Sequence, residues 1–173
     1  MPDLLAHYAS SVLVARVRVD TRIALPIGLV GLIPDIDALL RIHRWITHSL
    51  VLVALITIPV VTLVYWHRRR YLGLALTILL IYTLHLLLDI FIAPTPILYP
   101  LADSIWVKIQ VNGASTATGI TVTPNITVAT VKPDFTQRET VEGPLVTETG
   151  AIIAVVTAVI LLLEYFIKAR NHH

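Results

Sequence analysis

The chain has 173 residues, of which 56% are hydrophobic and 14% charged, and its mean hydropathy is +0.80; soluble domains carry about 25% charged residues, so lipid is the expected solvent. A net charge of +2 gives no electrostatic case for nucleic acid. The absence of cysteine excludes disulfides, thiolate nucleophiles and cysteine-ligated metals, so any metal must use His, Asp or Glu, and seven histidines are unusual in so apolar a chain.

At the N-terminus no basic region precedes the apolar stretch and His7 interrupts it, so no cleavable signal peptide is expected. Leu4 to Val19 and Ile23 to Ile33 are apolar but short, and Pro26, Gly28, Gly31 and Pro34 punctuate the second. At about 1.5 Å per residue neither crosses a hydrocarbon layer of about 30 Å. They predict two shorter helices, tilted or broken, packed against longer ones. Three segments are long enough to span: Ser49 to Trp66, Tyr71 to Ile92 and Gly150 to Ile167. Pro59 lies inside the first, which a membrane helix tolerates. Residues 101–149 are rich in Thr and Val, alternate over Ile105 to Val111, and carry Asn112-Gly113, a hairpin-turn signal. Further Thr/Val runs follow at Gly119–Thr123 and Asn125–Val131.

The expected fold is therefore mainly α. It is an integral membrane helical bundle of three long spans plus two shorter N-terminal helices, with a small antiparallel β-insertion. Its parts are a membrane-embedded core (1–100), the β-rich insertion (101–149) and a C-terminal transmembrane helix with its tail (150–173). Arg16, Arg18 and Arg22, then Arg68, Arg69 and Arg70, then Lys168 and Arg170 can all be cytoplasmic in one threading. That threading puts the β-insertion outside the cell and the C-terminus inside. It also brings His7, Asp35, Asp37, His43, His48, His85 and Asp89 to the extracytoplasmic face. His67 abuts the cytoplasmic arginines and reads as interfacial, and the terminal His172 and His173 are set aside as native residues or the stub of a tag.

His85 and Asp89 are four apart, on one helix face, where they can share an ion or form a His–Asp pair. Asp35 and Asp37, if extended, point the same way, and a cation between them would relieve their repulsion; Asp37 can alternatively cap the next helix. Thr47 reads as the cap of the following span, with His48 in its first turn among N–H groups that favour anions. Arg44 can grip a phosphate oxygen or anchor at headgroups. The whole set exceeds one tetrahedral structural zinc and suits two or three divalent ions, zinc first, with manganese or magnesium as alternatives. Paired ions activate water and clamp a phosphoester, so hydrolysis is the natural reaction class.

Leu32-Ile33-Pro34-Asp35-Ile36-Asp37, His43-Arg44-Trp45-Ile46-Thr47-His48-Ser49-Leu50, His85-Leu86-Leu87-Leu88-Asp89 and Ile97-Leu98-Tyr99-Pro100 stand in this order. Together with the early His7 they resemble the YdjM-like family of inner-membrane-bound metal-dependent hydrolases of bacteria and archaea. The resemblance covers about Met1 to Pro100 and leaves the β-insertion and last span unexplained. The His-x-x-x-Asp helix is more distantly similar to the zinc-dependent phospholipase C and nuclease superfamily. The second His-x-x-x-Glu helix of that superfamily is missing here, and Ala93-Pro94-Thr95-Pro96 replaces the glycine usual in the YdjM-like family. The resemblance implies a membrane phosphoesterase with His7, Asp35, Asp37, His43, His48, His85 and Asp89 as metal ligands. Asp35, His48 and Arg44 are its expected catalytic residues, and a membrane lipid or headgroup-level phosphoester its substrate. The competing reading is a non-catalytic membrane subunit whose His/Asp cluster is structural and whose residues 101–149 dock an extracytoplasmic partner or a second copy. A metal or proton transporter is disfavoured, because the middles of the long spans lack acidic residues.

Overall fold

A computed structural model describes residues 3–42, 46–117, 119–132, 134, 136–140 and 143–171. The chain divides into two compact units, one of Met1–Ile33, Val61–Leu84 and Glu142–His173, the other of Pro34–Val60 and His85–Val141.

The two shorter N-terminal helices are α1 (Leu4–Arg16) and α2 (Thr21–Gly28), and a 3-10 stretch (Leu29–Asp35) carries the chain on to the short α3 (Ile36–Leu39). The three expected spans appear as α4 (Leu50–His67), α5 (Leu72–Ile92, preceded by a 3-10 turn Arg69–Tyr71) and α6 (Glu148–Asn171). All three are long and apolar enough to cross a membrane. Helix α4 runs through Pro59 without ending, as a helix in lipid can. Only 6% of its apolar window is buried inside the protein. A surface of that kind is unfavourable in water and ordinary in hydrocarbon.

In the first unit the core is Val12, Ala15, Ala24 and Ile81, joined by Tyr8, Ile27 and Leu161. Asp3 caps α1, its Oδ1 accepting from the Leu5 and Ala6 amides at 2.8 and 3.2 Å. Its Oδ2 accepts from the amide and hydroxyl of Thr147, each at 2.6 Å, so one carboxylate fastens the starts of α1 and α6. Those four hydrogen bonds outweigh the effect of burial and hold the Asp3 carboxyl below its ordinary value. Gly150 makes room for it, since a Cβ there would lie 1.7 Å from Asp3 Oδ2. Towards the other end of α6, Arg16 pairs with Glu164 at 2.7 Å and Lys168 with Asp20 at 3.0 Å.

In the second unit, β1 (Ile105–Thr116) and β2 (Gly119–Thr130) pair antiparallel from Ile105↔Thr130 to Thr116↔Gly119. The expected turn at Asn112-Gly113 is not there. Both residues lie inside β1, opposite Thr123 and Val122, and the two Thr/Val runs form one strand. A turn at 112–113 would pair β1 with itself and leave most of the Thr/Val run without backbone partners, whereas the observed register pairs both strands end to end. Pro124, which lacks an N–H, is tolerated in a two-stranded ribbon. The amides of Thr95 and Val107 each donate to the other's carbonyl, at 2.9 and 3.0 Å, tying β1 to the segment that follows α5.

Candidate metal centre

Three stretches of the second unit build the site: the turn holding Asp35 and Asp37, the residues just before α4, and the last turns of α5. Each is positioned locally. Asp35 and Asp37 are not extended, as the sequence suggested. Asp35 ends the 3-10 stretch and occupies the cap position of α3 without a side-chain cap bond, while Asp37 stands in the first turn. Both are buried and Ile36 between them is exposed. Helical winding brings both carboxylates inward where the alternation of a strand was expected to do so.

Before α4, the expected cap Thr47 has another task. Its hydroxyl donates to Asp37 Oδ2 at 2.9 Å. Ser49 caps α4 instead, its Oγ accepting from the Leu52 amide at 3.1 Å while donating to the Tyr99 carbonyl. The amides of Leu50 and Val51 both donate to Ile97 O, at 3.0 and 3.4 Å. The first-turn donors of α4 are thus spent inside the protein, and the anion site expected there is filled by a carbonyl. His48 precedes the helix and is wholly buried.

In α5, His85 and Asp89 face the same interior, His85 Nε2 lying 3.8 Å from Asp89 Oδ2. His48 Nε2 lies 3.0 Å from Asp89 Oδ2 and 3.8 Å from Asp35 Oδ1. His85 Nε2 is also 3.8 Å from Asp35 Oδ1. The donor atoms of Asp35, His48 and His85 all lie within 4.8 Å of one another. Four N and O donors bound at 2.0–2.1 Å around a tetrahedral zinc stand about 3.3–3.4 Å apart. The four separations from His48 Nε2 and His85 Nε2 to Asp35 and Asp89, 3.0 to 3.8 Å, lie around that value, and Asp35, His48 and His85 form a group that could hold a divalent ion.

The other nitrogen of His48 faces a carboxylate. Nδ1 is 3.2 Å from Asp37 Oδ2 and 3.2 Å from Thr47 Oγ1. A carboxylate on the far nitrogen fixes the tautomer and leaves Nε2 free to ligate. Burial pushes the His48 imidazole down, but Asp37 and Asp89 together outweigh it and hold the imidazole above its ordinary value. A buried pocket of three carboxylates demands positive charge, which a proton on His48 or a cation can supply.

Five of the expected ligands, Asp35, Asp37, His48, His85 and Asp89, thus come together. His7 is buried in α1, in the first unit. His43 and Arg44 lie outside the described residues, and His67 is exposed at the end of α4. Thr47, expected as a cap, supports Asp37 instead, and no side-chain pattern marks the supporting roles of Ser49, Ile97 and Tyr99. The Ile97-Leu98-Tyr99-Pro100 stretch signalled only that it mattered, because its work is done by backbone carbonyls that any residue carries.

No curated protein and no solved structure matches the chain. A family model matches residues 3–171, so the relationship extends past Pro100 through the β-insertion and last span, beyond the reach of the short motifs. The chain belongs to the YdjM inner membrane protein family.

Proposed function

We propose that the protein is a membrane-bound, metal-dependent hydrolase of phosphoester bonds, with a divalent ion held by Asp35, His48, His85 and Asp89. The reading is carried by the convergence of Asp35, His48 and His85 from three separate stretches, their donor atoms within 4.8 Å of one another, with Asp89 beside both imidazoles. A divalent ion bound there would supply Lewis acidity, lowering the pKa of a water towards neutral and polarising a phosphoryl oxygen. His48 and His85 would hold it through Nε2, the ring atom each turns toward the carboxylates. Asp37, braced by Thr47, holds the His48 ring in register. Asp35 would take the proton of the water that attacks phosphorus and return it to the leaving ester oxygen as the P–O bond breaks, and Arg44, expected in this role from the sequence, would grip a phosphate oxygen through its planar fork. Zinc suits the mixed N and O donors best, with manganese or magnesium next. With the arginine clusters cytoplasmic, the site would lie at the extracytoplasmic headgroup layer, and the substrate is a lipid or headgroup-level phosphoester.

One observation favours a second reading. His48, His85 and Asp89 are at most 1% exposed, and a closed site of four protein donors is the mark of a structural metal. Release of phosphate or headgroup from phospholipids by the purified protein separates the two. The catalytic reading expects turnover that disappears in His48→Ala and His85→Ala. Turnover retained in both variants rejects this centre as the active site, and metal-dependent stability without turnover establishes the structural reading.

A further inference from the structure

A second polar feature lies in the first unit, at the start of α5. Arg18, Arg69 and Arg70 line a cavity of about 330 Å³ together with Leu72, Gly73, Leu76, Thr77 and Leu80. Among the described residues no carboxylate lies within 4.0 Å of these three guanidinium groups. Asp20 and Glu164 are engaged elsewhere, by Lys168 and Arg16. Arg69 rests 4.6 Å above the Tyr65 ring with its Nε donating to the Tyr65 carbonyl at 3.3 Å, and Arg70 rests 4.6 Å above Tyr71. Arg18 is seated by an absence: a Cβ on Gly73 would fall 1.9 Å from its Nη2 and 2.2 Å from its Cζ. The guanidinium therefore lies on the backbone of the first turn of α5, and a side chain at position 73 would oblige it to shift.

The rest of the wall is apolar. Leu72, Leu76 and Leu80 follow at four-residue spacing, one stripe of the helix leading away from the arginines, and Leu76 and Leu80 are about half exposed. Guanidinium forks match the oxygens of a phosphate. Three cations without carboxylate partners at the head of an apolar stripe match an amphiphile whose anionic head is a phosphate and whose tail is hydrocarbon. We propose that this cavity binds the phosphate headgroup of an anionic phospholipid, with an acyl chain along Leu76 and Leu80. The site is separate from the candidate metal centre and does not rest on its function.

The test is native mass spectrometry of the full-length protein in detergent, titrated separately with phosphatidylglycerol, phosphatidylcholine and inorganic phosphate. The expected result is retained phosphatidylglycerol, with much weaker phosphatidylcholine and inorganic phosphate. Gly73→Ala, which keeps every charge but displaces Arg18, should weaken retention roughly tenfold, the worth of one charge-assisted contact. Arg18→Lys, should Gly73→Ala fail to fold, should weaken it likewise by losing the fork. Arg68→Gln, which removes a charge outside the cavity, should change nothing. Three results each overturn the proposal: equal retention of both lipids, inorganic phosphate binding as tightly as the lipid, or Arg68→Gln matching the charge-conserving variants in effect.

Discussion

The pocket of Asp35, Asp37, His48, His85 and Asp89 and the β-hairpin beyond it invert each other. In the pocket, His48 and Asp89 are 0% exposed, while in the hairpin Ile120 is 80% and Ile126 65% exposed. A soluble domain would do the reverse. The pocket tolerates buried charge because each group meets another across 3.0 to 3.8 Å, and its structure is set by specific partners. The hairpin is held by its backbone ladder, and the residues at its exposed positions are interchangeable. Changes should therefore be costly in the first region and cheap in the second.

The largest effect is expected from removing one partner of the pocket. Asp89→Ala leaves two imidazoles without their shared carboxylate, and unfolding in detergent should register a loss of about 3–5 kcal/mol, the cost of orphaning a buried charged group. Asp37→Asn keeps the shape but weakens the hold on His48 Nδ1. Chelator titration should show metal affinity reduced by about 10–100-fold, with the fold retained. A smaller change is expected at the Asp3 clamp, where Asn still caps α1 but presents an NH2 to the amide and hydroxyl of Thr147, and Asp3→Asn should cost about 1 kcal/mol at neutral pH. Because the folded-state carboxyl of Asp3 is held below its ordinary value, its contribution is present above that value and lost as pH falls through the folded one. The melting temperatures of wild type and Asp3→Asn should accordingly converge in acid. The smallest effect is expected in the hairpin. Val128→Thr, at a position 60% exposed, should move stability by less than about 0.5 kcal/mol. A large loss there would mean that the hairpin is as specifically packed as the pocket.

The sequence was legible where local chemistry decides. Apolar length located all three long helices to within a residue or two at most ends, and the i,i+4 spacing of His85 and Asp89 put them on one face. It was illegible where distant backbone decides. Asn112-Gly113 is a strong turn signal, yet the end-to-end pairing of Ile105–Thr116 with Gly119–Thr130 overrode it. Ser49 rather than Thr47 caps α4 because Asp37, ten residues back, takes the Thr47 hydroxyl. The carbonyls of Ile97 and Tyr99 support the site through atoms that every residue shares, so no side-chain pattern could announce them.

The proposed activity requires a divalent ion bound among Asp35, His48, His85 and Asp89. Elemental analysis of the purified protein, paired with X-ray absorption at the metal edge, addresses this directly. The predicted result is a stoichiometric ion with mixed imidazole and carboxylate ligation, lost from His48→Ala and His85→Ala and kept in His67→Ala. Protein that folds and binds no divalent ion, or an ion that both pocket variants retain, would contradict it.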